Sequence, residues 1–367
     1  MRPHLSIIVP FHKGLAFLER ALAALTPFAP GDELIVAADG AVDDCRALAA
    51  AHGARVVEIA GPRGPAFARN AAAAVATGDV LVFVDADVVA STAALERVAQ
   101  IFADRPELGA VFGAYDENPA AEGFVSQYKN LAHSYIHRIS SGPANTFWAG
   151  FGAVRRADFM AVGGFDERFE RPSIEDIDLG YRLSDSGSRI LLDSSLAVCH
   201  LKRWTVWSML KSDVLDRGIP WTQLILRYGQ FGSDLNVRNT YRVCVVAAYL
   251  AVAFAALGTL DARFLWAVLP LVALLAYLGR DYYQFFWRKR GIGFVLRVFP
   301  LHVLYHLYNG VSFAVGTVLF LAARRFDVRL PGALPAHAPV QVHVGASPAA
   351  AQAGVAGSSC IASAPEA

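Results

Sequence analysis

The sequence predicts an α/β domain with a mostly parallel central sheet, followed by interfacial helices and an α-helical membrane region. Three observations carry this. Strand-like and helix-like runs alternate from Leu5 to Asp87, the pattern of a parallel sheet with helices on its faces. One run, Val80-Leu81-Val82-Phe83-Val84, is apolar throughout and stops at Asp85-Ala86-Asp87, as a strand buried on both faces does on reaching the ligand edge of its sheet. The third is an apolar excess, 55% hydrophobic residues with a mean hydropathy of +0.37, concentrated toward the C-terminal end.

The elements follow in order. Leu5 to Val9 is a strand, and Leu15, Leu18, Leu22 and Leu25 fall at helical spacing. Glu33 to Ala37 is a second strand, followed by a helix from near Asp43 through Ala51. Arg55 to Ile59 is the third strand, Ala66 to Ala76 an Ala-rich helix, and Val80 to Val84 the fourth strand. No G-x-G-x-x-G follows the first strand and no P-loop lysine motif is present, so neither dinucleotide nor P-loop chemistry is indicated. The 367 residues imply two domains on a prior of roughly 150 residues each. A net charge of +1 gives no electrostatic case for a nucleic-acid partner. Cys45, Cys199, Cys244 and Cys360 are scattered without zinc spacing, as ordinary thiols in a reducing compartment are.

Strand ends in a parallel sheet gather on one side, so their polar residues are candidates for one site. These are Pro10-Phe11-His12-Lys13-Gly14, Asp39-Gly40 with Asp43-Asp44 behind, and Gly61-Pro62-Arg63-Gly64 leading to Ala68-Arg69-Asn70. Each also has a plain reading: Pro and Gly punctuate turns, Asp43 caps a helix, Arg69 is solvated. Asp85 and Asp87 suit a hard cation that takes one or two carboxylates and completes its shell with phosphate and water. Alternatively they belong to the cap of the next helix, through Ser91 or Thr92.

Between Ala110 and Leu201 helical runs thin out and aromatic and glycine residues increase, as in Phe147-Trp148-Ala149-Gly150-Phe151-Gly152 and Gly163-Gly164-Phe165-Asp166-Glu167. Glycines admit close approach of backbone to a ligand, and aromatic faces pack on sugar rings or on a core. A helix starts near Ser173, with Glu175 and Asp176 in its first turn. Ser173-x-x-Asp176 reads as a capping-box variant, and a carboxylate there with one oxygen in a cleft also suits a general base. His200-Leu201-Lys202-Arg203-Trp204 closes the region.

Taken together, Ser6-Ile7-Ile8-Val9-Pro10, Asp39-Gly40, Ala68-Arg69-Asn70, Asp85-Ala86-Asp87, Gly163-Gly164-Phe165-Asp166-Glu167 and Glu175-Asp176 resemble, in the same order, the motifs of family 2 glycosyltransferases, whose catalytic domain has the GT-A fold. The resemblance covers about residues 5 to 204. It implies inverting transfer of a hexosyl-type sugar from a UDP- or GDP-type nucleotide diphosphate donor, with Mg²⁺ or Mn²⁺ between Asp87 and the diphosphate. It puts Pro10, Asp39 and Arg69 on the nucleotide side, Asp85 near the ribose or metal, and His200 near the metal or diphosphate. Asp176 is then the base that takes the acceptor hydroxyl's proton, and Gly150, Glu175, Arg203 and Trp204 belong to the acceptor or diphosphate region. Two positions depart from the pattern. Ala38 stands where a second acid is usual before Asp39, and His200 replaces the Gln of the processive members' Gln-x-x-Arg-Trp, which favours a single transfer. A processive polysaccharide synthase and a noncatalytic scaffold are the alternatives.

The C-terminal part reads as membrane-associated. Trp204 to Gly232 mixes Trp, Leu and Ile with Lys211, Arg217 and Arg227, the composition of a segment lying in the headgroup layer. The runs 243–260 and 262–279 are near the ~20 residues that cross a hydrocarbon core. Arg238 and Arg242 before them, and Arg280, Arg288, Lys289 and Arg290 after, place both flanks in the cytoplasm. That agrees with an N-terminus that enters a strand without a signal-like apolar stretch. A third run, 301–323, carries His302, His306 and Asn309 and ends in Arg324-Arg325; either it breaks the charge rule or the segment from Gly291 makes a re-entrant or fourth crossing. The expected organisation is a catalytic domain over 1–203, interfacial amphipathic helices over 204–240, a membrane region over 241–325 and a disordered tail over 326–367. The protein is expected in the cytoplasmic (inner) membrane, multi-pass, with its catalytic domain cytoplasmic and a lipid or lipid-linked acceptor.

Overall fold

Four apolar runs become the parallel strands β1 (Leu5–Phe11), β2 (Glu33–Asp39), β3 (Arg55–Ile59) and β4 (Val80–Val84), with α1 (Leu15–Leu25), α2 (Val42–Ala51) and α3 (Pro65–Val75) between them. The computed structural model describes residues 1–40, 42–230 and 239–326. The side chains of Asp43 and Asp44, residues 231–238 of the expected interfacial segment, and the expected tail after residue 326 lie outside the described residues. Strand β1 pairs with both β2 and β4, and β3 lies outside β2. The chain therefore builds outward from β1 and then returns to its other side, a reversal that opens a crevice at the carboxyl ends of β1 and β4. All five β4 residues are fully buried, as are Leu5, Ile7, Ile8 and Val9 of β1, which is why both read as unbroken apolar runs.

Beyond β4 the sheet is mixed. β8 (Phe151–Arg155) lies antiparallel between β4 and β6 (Leu108–Tyr115), and β6 runs parallel to β9 (Arg189–His200). Two short strands, β5 (Val88–Val89) and β7 (Gly142–Ala144), pair antiparallel with β9. The helix α4 (Thr92–Asp104) is capped by Ser91, whose Oγ accepts from Ala94 N at 3.2 Å, so the strand-end acids are not its cap. In α7 (Glu175–Asp185) Ile174 takes the N-cap position without a side-chain cap. Ser173 instead donates to the Asp216 carbonyl at 2.6 Å, so the capping box read in the sequence does not form.

The region expected to be poor in helix holds the 16-residue α5 (Phe124–Ile139). Its apolar residues alternate with Lys129, Asn130, His133 and His137, and several of those polar groups are buried in contacts with other parts of the fold rather than solvated. That breaks the amphipathic stripe by which a helix is recognised.

The C-terminal helices are α8 (Val206–Lys211), a π-helical segment Ser212–Gly218, α9 (Ile219–Tyr228), α10 (Asn239–Leu257), α11 (Leu265–Leu278), α12 (Arg280–Arg290) and α13 (Ile292–Phe326). Among the described residues two helices, α10 and α13, are long and apolar enough to cross a membrane. The run 262–279 does not make a spanning helix alone. Its α11 has 14 residues, about 21 Å at 1.5 Å per residue, against ~30 Å of hydrocarbon, and it reaches spanning length only with α12, to which it is bent by 66°. No break interrupts α13 between Gly291 and Ala323, so the third run is one helix without a re-entrant turn. Its first turns dock on the α/β domain: Tyr128 and Leu131 of α5, Met209 of α8, Tyr282 and Phe286 of α12 and Val298 of α13 form one buried cluster.

An ion pair seals this joint. Lys129 of α5 pairs with Asp213 of the π-helical segment, and Tyr308 of α13 donates to the other Asp213 oxygen at 2.7 Å. Removing one partner of a buried pair leaves a charge without compensation. Lys129→Met is therefore expected to cost about 3 kcal/mol, read as a lower thermal midpoint of the full chain in detergent; an unchanged midpoint would show the pair to be energetically neutral.

Candidate active site

The strand ends meet where the sheet reverses. Asp39, at the end of β2, accepts from Arg63 N at 2.7 Å and Gly64 N at 2.8 Å, one bond to each carboxylate oxygen. Its side chain thus folds the loop after β3 over the edge of the sheet. Gly64 has φ 94° and backs onto the Glu170 backbone, so no other residue fits that turn without strain. Pro10 lies one residue before the end of β1 and is half-buried.

Arg69 of α3 is not a solvated helix residue. It is buried, with Nη2 donating to Asp85 Oδ1 at 2.7 Å and Nη1 to Glu175 Oε1 at 2.9 Å. One guanidinium fork therefore joins the end of β4 to the first turn of α7. The next residue, Asn70, donates to Phe165 O at 2.8 Å and accepts from Phe165 N at 2.9 Å. Ala68-Arg69-Asn70 and Gly163-Gly164-Phe165-Asp166-Glu167 are thereby stitched together, and Gly164, with φ 69°, lies where a Cβ would press on Asn70 Oδ1.

Asp87 and His200 come together because β5 pairs with β9 at Val88 and His200. His200 Nε2 lies 3.5 Å from Asp87 Oδ2, and its Nδ1 lies 2.7 Å from Asn130 Oδ1. An amide oxygen only accepts, so Nδ1 carries a hydrogen and Nε2 faces Asp87, donating to it when the ring is protonated and presenting a lone pair when it is not. Tyr115, at the end of β6, stacks on the imidazole with ring centroids 4.4 Å apart. Burial works against ionisation of Asp87, but the hydrogen bond and charge of His200 and the charge of Lys202 bring its pKa below the ordinary value. Among the described residues no group of three His, Cys, Asp or Glu side chains could hold a metal ion. One carboxylate, an oriented imidazole and the adjacent Asp85 nevertheless fit a cation that draws most of its shell from a ligand's oxygens rather than from a protein cage.

Asp176 is the second residue of α7. Its Oδ2 accepts from Ala149 N at 3.2 Å and its Oδ1 from Ile177 N at 2.8 Å. Burial first, and then the charge of Glu175, push its pKa up to about 6, where a carboxylate serves well as a base near neutrality. Gly150 accepts from Asp85 N at 3.2 Å, and a Cβ there would run into the Trp148 indole. Trp204 lies at the rim, with its ring 6.3 Å from that of His200 and under the Lys202 ammonium at 4.3 Å. Arg203 is exposed and joins none of these contacts. Asn130, Tyr115 and Arg217 were not singled out from the sequence. Asn130 sits on a helix whose pattern was obscured, Tyr115 only ends a strand, and Arg217 reads as one of several basic residues in an interfacial segment.

Residues 6–163 match the family model described as glycosyl transferase family 2. That segment is a family 2 glycosyltransferase domain. Validoxylamine A glucosyltransferase of Streptomyces hygroscopicus subsp. limoneus is 29% identical over 221 residues, 50% of this chain and 49% of that protein. Pre-mycofactocin glycosyltransferase of Mycobacterium tuberculosis (strain CDC 1551 / Oshkosh) is 28% identical over 204 residues, 53% of this chain and 42% of that protein. The chain thus spans about half the length of the curated relatives it matches. A mannosyltransferase of Pyrobaculum calidifontis in complex with GDP-Man and Mn²⁺ aligns over 90% of this chain and 89% of its own, at 18% identity and a TM-score of 0.50, a likeness of fold. The α/β part of this chain has the GT-A fold. The family match ends before Asp176 and His200, so these two stand on the geometry above.

Proposed function

We propose that the chain is a membrane-anchored inverting glycosyltransferase. It moves a hexosyl-type sugar from a UDP- or GDP-type donor to a lipid or lipid-linked acceptor, with Asp176 as the general base. The observation that carries this reading is the Arg69 fork, which ties the strand-end acids to the very turn that presents Asp176. One buried cation thus holds Asp85, two residues before the metal-capable Asp87, and Glu175, the neighbour of the base-capable Asp176, which keeps in register groups that act on leaving group and nucleophile together. Asp176 takes the acceptor proton, and no covalent intermediate is needed, so configuration inverts. Asp87 and His200 would hold Mg²⁺ or Mn²⁺, with Asp85 beside them; when bound, such an ion offsets charge on the departing diphosphate. The relatives named as glucosyl- and glycosyltransferases, and the fold shared with a protein in complex with GDP-Man and Mn²⁺, support the donor class.

The acceptor side faces apolar surface. Trp207 is 75% and Leu215 56% exposed on the segment that follows Trp204, and α10 and α13 supply spanning length. Arg280, Arg288, Lys289 and Arg290 bracket α12 and favour a cytoplasmic catalytic domain in the inner membrane. The test is direct: full-chain protein in nanodiscs, offered UDP- and GDP-hexoses with Mn²⁺ or Mg²⁺ and a membrane lipid extract, should yield a glycolipid of inverted anomeric configuration. Transfer to soluble acceptors only would sink the lipid part, and long polymer chains would overturn the single transfer.

Asn130 provides a finer test. Groups that orient a metal-binding imidazole typically carry about 10- to 100-fold in affinity. Asn130→Ala should weaken Mn²⁺ binding by that much, followed by electron paramagnetic resonance titration in the presence of nucleotide.

A further inference from the structure

Most of the cations withdrawn from water around the site are ion-paired, whereas Lys202 and Arg203 are exposed. Arg69 holds Asp85 and Glu175, Lys129 holds Asp213, Arg168 holds Asp166 and Arg182 holds Asp178. Arg217 is half-buried, yet among the described residues it has no hydrogen-bond or ion-pair partner. A guanidinium partly removed from water without a partner forgoes hydration for no compensating bond unless a ligand supplies it.

Its placement is built from both sides. Arg217 is the penultimate residue of the π-helical segment Ser212–Gly218, a geometry that concentrates at functional sites. The carbonyl before it, on Asp216, accepts from Ser173 Oγ at 2.6 Å, which pins the segment to the entry of α7 three residues from Asp176. The residue after it, Gly218, abuts Ser312 of α13, where a Cβ would come within 2.6 Å of Ser312 Oγ. Asp213, one turn earlier, is locked by Lys129 and Tyr308. The Arg217 charge is felt at Asp176 and at Tyr115, whereas that of Lys202 is felt at Asp87. Together with the Ser173 tie, this puts Arg217 within electrostatic reach of Asp176.

We propose that Arg217 is the anion-binding residue of the acceptor subsite, receiving an oxyanion, phosphate or carboxylate, that the acceptor carries close to its reacting hydroxyl. Exposed Trp207 and Leu215 on the same stretch make that acceptor an acidic amphiphile. The proposal rests on the lipid-acceptor reading and sharpens it, because the fork geometry of guanidinium selects a planar or tetrahedral oxyanion over a neutral headgroup.

The test uses the full chain in phosphatidylcholine nanodiscs, as wild type, Arg217→Gln and Arg217→Lys, titrated calorimetrically with octyl phosphate, octanoate and octanol, and separately with UDP and GDP plus Mn²⁺. Octyl phosphate or octanoate should bind the wild type at least about tenfold more tightly than octanol, as a charge-assisted bond provides, and whichever of the two binds more tightly names the oxyanion. Arg217→Gln should remove that preference, Arg217→Lys should restore part of it, and nucleotide affinity should stay unchanged in both. Equal binding of all three amphiphiles, or an unaltered preference in Arg217→Gln, would overturn the proposal. So would a loss confined to the nucleotides, which would assign Arg217 to the donor. Unchanged kinetics of transfer to an acidic lipid in Arg217→Gln would remove the anion site and leave the lipid-acceptor reading intact, whereas an Arg217-dependent anion preference in an enzyme that glycosylates only soluble acceptors would do the reverse.

Discussion

Asp176→Asn is expected to lower kcat about 10²- to 10⁴-fold, the range in which a positioned general base contributes, without loss of nucleotide affinity. The wild-type kcat/KM should fall as pH drops through about 6, roughly tenfold per pH unit below it, because the working form is the ionised one. The stability effect has the opposite sense. A carboxyl whose pKa is raised by folding stabilises the fold below its ordinary value and ceases to do so as pH rises through about 6, so ionising Asp176 costs stability, as expected of a group kept for the proposed base role. The amide keeps one acceptor for the Ala149 or Ile177 N–H and removes the buried charge. At pH 8 the thermal midpoint should therefore stay within a few degrees of wild type. A variant that folds, binds nucleotide and transfers sugar at the wild-type rate would remove Asp176 from the mechanism.

The alternation of strands and helices over residues 5 to 84 was legible because its signals are local. Each strand of the first half is an apolar run with a turn behind it, and each helix lies between two of them, whereas the order β3-β2-β1-β4 is set by which strands pair in the folded sheet. The strand-end residues Asp39, Arg69, Asp85 and Asp87 were legible for the same reason: the sheet delivers them to one edge. What stayed hidden depends on long-range contacts. That Arg69 reaches Glu175, 106 residues away, or that Asn130 orients His200 across 70 residues, leaves no periodicity in the chain. The membrane part was legible as hydropathy but not as geometry, since the bend between α11 and α12 and the docking of α13 on α5 arise from aromatic packing that composition does not encode.

Arg69→Met is expected to be among the most destabilising single changes in the α/β domain. It leaves Glu175 buried and Asp85 largely so, with no counterion, and such uncompensated charges cost about 3–5 kcal/mol. At roughly 2–4 °C per kcal/mol for a domain of this size, the thermal midpoint should fall by about 10 °C. Restoring charge balance from the other end separates electrostatics from packing. Glu175→Gln on the Arg69→Met background removes one stranded carboxylate and should recover part of the loss, so the double-mutant cycle should show a coupling well above 0.5 kcal/mol. Activity should fall further than stability, because the fork also sets the entry of α7, and a shift there displaces Asp176 from its contacts with Ala149 and Ile177; misplacement of about 1 Å at a reacting group can cost on the order of 10²-fold. If the midpoint held and the cycle were additive, the fork would be a solvated contact, and the link it provides between strand-end acids and base would have to come from the Asn70 bonds to Phe165 instead.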